Sequence, residues 1–217
     1  MKHIETNFLI YDLAKQAKYV KGVSLFKFFF AIFALSGLFI MLYLLSSDFR
    51  PDLAQVFRFD QFNIFNIQLV VFSVSCLLGP YLAFKLSIPG QEFRMPVKLA
   101  SIAFYFMWLV FATVMGIMAY NAYQANPNIV WYEDCVYRAL LGMSFPMLVL
   151  FYYVRKGYIL YTLKTSVLLT LTAFGFAGFI NLFICPEHNA MNIICSHYTV
   201  LLPACIIFIL LVNFSKK

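Results

Sequence analysis

The chain has 217 residues, of which 63% are hydrophobic and 12% charged, with a mean hydropathy of +0.84; it is far more apolar than a soluble domain can be. Its formal charge of +7 raises nucleic-acid binding as a reading, but the positive residues are scattered between apolar runs instead of forming one basic face. That pattern speaks against direct nucleic-acid binding and for membrane orientation. The expected fold class is all-α, a polytopic membrane protein built as a six-transmembrane-helix bundle.

Taken from its start, the chain opens with residues 1–22, a cytoplasmic N-terminal segment, ahead of a transmembrane domain over 23–217. Between Ile4 and Val20, Leu9, Ile10, Leu13, Ala14 and Ala17 recur at helical spacing, with Asp12, Lys15, Gln16 and Lys18 as the polar remainder. This predicts an amphipathic helix. Two placements stay open, on the bilayer surface with lysines against anionic lipid, or in a groove of a soluble partner. The lysines and the apolar stretch after them resemble a signal peptide, but the stretch runs to about twenty residues and lacks an A-x-A exit. It reads as a retained first span.

A helix needs roughly twenty mostly apolar residues to cross about 30 Å of hydrocarbon. Six segments qualify: Val23–Ser47, Phe62–Phe84, Val97–Tyr120, Cys135–Val154, Thr165–Cys185 and His197–Phe214. In lipid each must be helical, because no other single segment satisfies its own backbone. Lys2, Lys15, Lys18, Lys21, Lys27, Lys85, Arg94, Lys98, Arg155, Lys156, Lys164, Lys216 and Lys217 fall on one side, thirteen of the 16 basic residues. Arg50, Arg58 and Arg138 fall on the other. Short cytoplasmic connections hold the excess of Lys and Arg, so the N and C termini are expected in the cytoplasm. Pro80, Pro146 and Pro203 lie inside spans and are read as kinks that shape the bundle. Ala173, Gly175, Ala177 and Gly178 give the fifth span small side chains that admit a close neighbour.

The chemistry gathers at the outer face, which is periplasmic in a Gram-negative cell. Cys135 opens the fourth span, Cys185 closes the fifth, and Cys195 and His197 open the sixth, with His188, Glu187, Glu133 and Asp134 in the same connections. That compartment permits disulfides. Cys76 and Cys205 lie within spans, where a thiol behaves as a small hydrophobe. The outer set leaves three readings open: a Cys135–Cys185 thiol pair that ties two spans together on oxidation, a soft-metal site drawn from Cys135, Cys185, Cys195, His188 and His197, or separate helix-end cysteines. There is no C-x-x-C or H-x₃-H to narrow the geometry. Arg138, inside the outer end of a span, is expected to snorkel toward Asp134.

Several stretches are similar to one known family. Phe8-Leu9-Ile10-Tyr11-Asp12-Leu13-Ala14 looks like its N-terminal motif, Phe49-Arg50-Pro51-Asp52-Leu53-Ala54 like its first outer loop, Cys135, Arg138, Pro146 and Arg155-Lys156-Gly157 like its fourth span and following turn, and Ile184-Cys185-Pro186-Glu187 like its Cys-Pro-Glu signature. With their order and the six spans, the chain resembles the NrsF-like family of membrane anti-sigma factors over nearly its whole length. The resemblance implies that the N-terminal segment, with Phe8, Leu9, Ile10, Leu13, Ala14 and Ala17, holds an extracytoplasmic-function sigma factor inactive. It implies that Cys135 and Cys185 are the sensing pair, for a metal or oxidative signal. No resident cofactor is expected beyond a transient heavy-metal ion, with Cys195, His188 and His197 as further candidate ligands.

The chain departs from many relatives in carrying Ile184 where they have His, and in adding Cys195 and His188. The reading is therefore a regulator in the bacterial inner membrane and not an enzyme, its partners a sigma factor and the lipid bilayer. Two rivals are a quinone-linked thiol redox enzyme, which usually shows a C-x-x-C, and a small transporter, which needs several buried charges along its path.

Overall fold

The computed structural model describes residues 24–45, 50, 64–88, 94–127, 133–155, 162–185 and 190–215. The N-terminal segment with Phe8, Leu9, Ile10, Leu13, Ala14 and Ala17 lies outside the described residues, as does His188. Among these residues seven α-helices follow in order: α1 Leu25–Leu45, α2 Ile64–Leu86, α3 Met95–Ala125, α4 Glu133–Arg155, α5 Thr162–Ile184, α6 Ala190–His197 and α7 Leu201–Ser215. A 3₁₀ turn, Tyr198–Val200, joins α6 to α7, so these form one span. Six helical segments are thus long and apolar enough to cross a membrane, and the all-α six-span expectation holds.

The sixth crossing runs Ala190–Phe214, seven residues ahead of the expected start at His197. Asn192, Ser196 and His197 look too polar for lipid, but they are buried inside the bundle, where protein replaces lipid as their surroundings. The break at Tyr198–Val200 follows from Pro203, which cannot donate to the carbonyl of Thr199 and whose ring crowds it. The helix tightens to a 3₁₀ turn and restarts, leaving Pro203 in the first turn of α7, where a missing N–H costs little. The third helix extends to Ala125, beyond the expected end at Tyr120, since Asn121 and Gln124 are compatible with a helix continuing out of the apolar layer.

Helix α5 is the centre of the bundle, packed against α2, α4 and α7. Its apolar window is 78% buried, against 17% for α1. Thr170 and Thr172, both buried, donate to the carbonyls of Ser166 and Leu168 at 2.8 and 2.7 Å, so their hydroxyls are satisfied within the helix. The small residues of α5 set its distance from its neighbours. A methyl group at Gly178 would stand 2.6 Å from the Phe72 ring of α2, and one at Gly175 2.5 Å from the Ser75 Cβ. Gly178→Leu is therefore expected to lower stability by about 1–3 kcal/mol or more through overpacking. Gly116→Leu should leave stability nearly unchanged, because among the described residues a Cβ there would meet nothing within 4 Å beyond its own helix backbone. Thermal unfolding of both variants in detergent checks the contrast.

Around α5 the aromatic side chains form two clusters. Phe72, Trp108, Phe111, Phe174 and Tyr198 join α2, α3, α5 and the sixth span, with ring centroids 5.0–6.2 Å apart. At the opposite end of the bundle, Phe28 of α1 meets Phe84 of α2 at 5.1 Å and Tyr153 of α4 at 5.2 Å. Farther along the same pair of helices Phe39 stacks on Phe145 at 5.2 Å. α1 thus lies antiparallel along α4. The end of the bundle that holds the Phe28 cluster also carries Lys27, Lys85, Arg94, Lys98, Arg155 and Lys164, whereas Glu133 and Asp134 lie at the other end. An even number of crossings returns the chain to the face from which it started.

Candidate functional site

The far end of α5 is where the thiol chemistry converges. A helix leaves its last carbonyls without partners inside the helix, and here two arginines from other elements reach them. The Arg50 backbone N–H donates to Phe183 O at 3.0 Å, and its guanidinium Nη1 lies 3.4 Å from Leu182 O. Arg138 of α4 places Nη1 3.4 Å from Ile184 O. Both positive charges therefore sit at the negative end of the α5 dipole. Arg138 was expected to turn to Asp134 on its own helix; it bridges to α5 instead. Arg50, 5% exposed, also lies over the Phe65 ring at 5.8 Å, which fixes the residue to the start of α2.

Cys185 is the next residue after α5, and its N–H still donates to Asn181 O at 2.9 Å. Its Sγ stands 3.0 Å from the Sγ of Cys135, in the first turn of α4, in a thiol–thiol contact where either sulfur can donate. On its other side the same sulfur is 3.4 Å from His197 Nε2. The ligating atoms of Cys135, Cys185 and His197 all lie within 4.8 Å of one another, and the three residues are 8%, 4% and 9% exposed. Such burial admits only small reagents to the sulfurs. Tyr43, near the end of α1, is within electrostatic reach of both Arg138 and Cys135, so a fourth element borders the site.

Cys195 is not gathered with this trio. It is two residues from His197 on α6, about 200° around the helix, and so cannot face the same way. It is half-buried, and its carbonyl accepts from the Thr199 hydroxyl at 2.9 Å. Beneath the cluster a cavity of about 20 Å³ is lined by Arg50, Gln68, Asn181, Cys185, His197 and Tyr198 among others. That is room for one water or one ion. Among the described residues the Asn181 Oδ1, buried there, has no hydrogen-bond partner, and the Tyr198 hydroxyl is within reach of the Gln68 side chain. Sequence reasoning missed Arg50, Gln68, Asn181 and Tyr198 as site residues. Their only signal was polarity in or beside apolar segments, and hydropathy averages that away.

Helices and site together define a multi-pass membrane protein carrying a buried cluster of two thiols and an imidazole at one face. A family model described as negative regulator of sigma F matches residues 13–213, and the chain belongs to that family, NrsF. No curated protein and no solved structure matches the chain. The family description names a regulator and, as its partner class, a sigma factor. The match begins at Leu13, so most of the motif at Phe8–Ala14 precedes it.

Proposed function

We propose that the protein is an anti-sigma factor of the bacterial inner membrane that sequesters an extracytoplasmic-function sigma factor on the cytoplasmic side and releases it when a metal or oxidant reaches Cys135 and Cys185. The observation that carries this reading is the 3.0 Å separation of two sulfurs from different helices. A disulfide brings sulfurs to about 2.05 Å, so oxidation asks for an approach of only about 1 Å between the ends of α4 and α5. A signal shifts an equilibrium only by interacting differently with two states, and a disulfide that draws the ends of α4 and α5 together, or an ion that bridges them at its own spacing, does so. The docking residues are Phe8, Leu9, Ile10, Leu13, Ala14 and Ala17, whose apolar face occludes the sigma factor from polymerase.

The orientation rests on the Lys and Arg asymmetry. A reporter fused after Lys217 is expected to be active in the cytoplasm, and one inserted near Asn128 active only outside. The swapped result would move the cysteines into a reducing compartment and end the sensor reading. The function itself is tested by purifying the tagged, full-length protein from its native host. A sigma factor should accompany it, and brief treatment of the membranes with oxidant or heavy metal should release that sigma factor. If no sigma factor accompanies the protein, the proposal is overturned.

A further inference from the structure

Resting on the reading of Cys135 and Cys185 as the responsive pair, we propose that these two cysteines and His197 form a three-ligand site for a soft divalent cation, with the fourth coordination position open to the polar cavity beneath. Thiolate sulfur and imidazole nitrogen are the donors that zinc and cadmium-like ions select. Tetrahedral coordination with Zn–S near 2.3 Å and Zn–N near 2.05 Å places the two sulfurs about 3.8 Å apart and each sulfur about 3.6 Å from the nitrogen. The separations here are 3.0 Å between the sulfurs, 3.4 Å from Cys185 Sγ to His197 Nε2, and at most 4.8 Å for the third pair. Each is within about 1.2 Å of the coordinated geometry, a side-chain adjustment. No carboxylate belongs to the trio, and Glu133 and Asp134 are exposed, which disfavours magnesium or calcium.

Binding balances as M²⁺ plus two thiols giving a neutral metal dithiolate and two released protons, with the neutral imidazole joining through Nε2 and its proton on Nδ1. Arg50 and Arg138 direct donors to the carbonyls of α5. The fourth position meets the cavity, where the Asn181 carboxamide oxygen, in a residue only 4% exposed, has no hydrogen-bond partner among the described residues. A metal-bound water donates to such an oxygen. His197 separates this site from a disulfide: the metal needs it, and a sulfur–sulfur bond does not. Cys195 takes no part.

The test is titration of the purified full-length protein in detergent, under a non-chelating phosphine reductant, with Cd²⁺ and with Co²⁺. One equivalent should bind, with thiolate-to-cadmium charge-transfer absorption, a cobalt spectrum of a tetrahedral site with mixed sulfur and nitrogen ligands, and release of two protons. His197→Ala should weaken binding by at least the roughly 10–100-fold that even outer-shell losses cost. His197→Cys should restore tight binding with added thiolate absorption, and Cys195→Ser should bind as the parent does. Should the alanine variant fail to fold, the parent's cobalt spectrum decides alone: one without a nitrogen ligand overturns the site. Unchanged cadmium affinity in a folded His197→Ala also overturns it, and leaves the two-thiol reading standing if the Cys135→Ser, Cys185→Ser double variant is unresponsive in cells. Normal induction in that double variant removes the underlying reading whatever His197 does.

Discussion

Leu13→Asp is expected to abolish capture of the sigma factor while the protein still inserts in the membrane, and transcription from the sigma-dependent promoters should become constitutive. Leu13 is central in the apolar series Leu9, Ile10, Leu13, Ala14 and Ala17, and a central apolar anchor in a protein interface contributes about 2–4 kcal/mol. Replacing it with a carboxylate removes that contact and adds an unpaired charge, so affinity falls by at least about 30- to 1000-fold. Insertion survives because the six spans that follow are untouched. Lys15→Gln, on the polar remainder of the same segment, should have little effect on capture. Co-purification of the sigma factor and a promoter reporter, read together, check both variants. A Leu13→Asp protein that still captures and represses would move the contact to the other basic connections, around Arg94 or Arg155.

Loss of the stress response with retained repression is the expected result for Cys135→Ser, for Cys185→Ser and for the double variant alike. The two sulfurs meet at 3.0 Å, so either substitution already removes the pair, and the double should add nothing to the singles. Repression is expected to persist because the proposed docking segment precedes the first span and, by the Lys and Arg asymmetry, belongs to the face opposite the sulfurs. Cys195→Ser should respond normally, since that thiol stands apart from the cluster. Reporter expression with and without oxidant or heavy metal, in each of the four strains, is the measurement. Full induction in the double variant would leave Cys135 and Cys185 as ordinary helix-end cysteines.

Hydropathy made the six crossings legible, because twenty apolar residues in lipid have only one conformation that satisfies the backbone. Their ends were less so. Asn192 and Ser196 read as part of the connection ahead of the sixth span, since a sequence window cannot tell polar groups facing lipid from polar groups facing protein. Cys135 and Cys185 could be placed at one membrane face by counting crossings, but depth alone does not bring two helix ends to contact distance. That required Gly142 to seat α4 against Ala177 of α5, where an added methyl would stand 3.1 Å from Ala177, and Arg138 to tie α4 to the last turn of α5. His197 and Cys195 are joint candidates in the sequence because both fall at the outer face at the start of the sixth span; helical phase separates them. Arg50 resembled a loop charge, and its capping of α5 depends on a contact across 132 positions of chain, which no local pattern encodes.

Helix α1, the least buried of the six crossings at 17%, begins shortly after the proposed docking segment in the sequence and carries Tyr43, within electrostatic reach of Cys135 and Arg138. Its 21 residues make a rod about 32 Å long, braced against α4 by Phe28 on Tyr153 and Phe39 on Phe145. Displacing α5 would tear apart a packed core, whereas sliding or tilting α1 exchanges lipid contacts for similar lipid contacts at little cost. Motion at the thiol end therefore has a cheap mechanical route to the opposite surface along the edge of the bundle. With so little of its surface covered by protein, α1 meets the surrounding lipid more directly than the enclosed α5 does, so a change in bilayer thickness should be felt first along that rod.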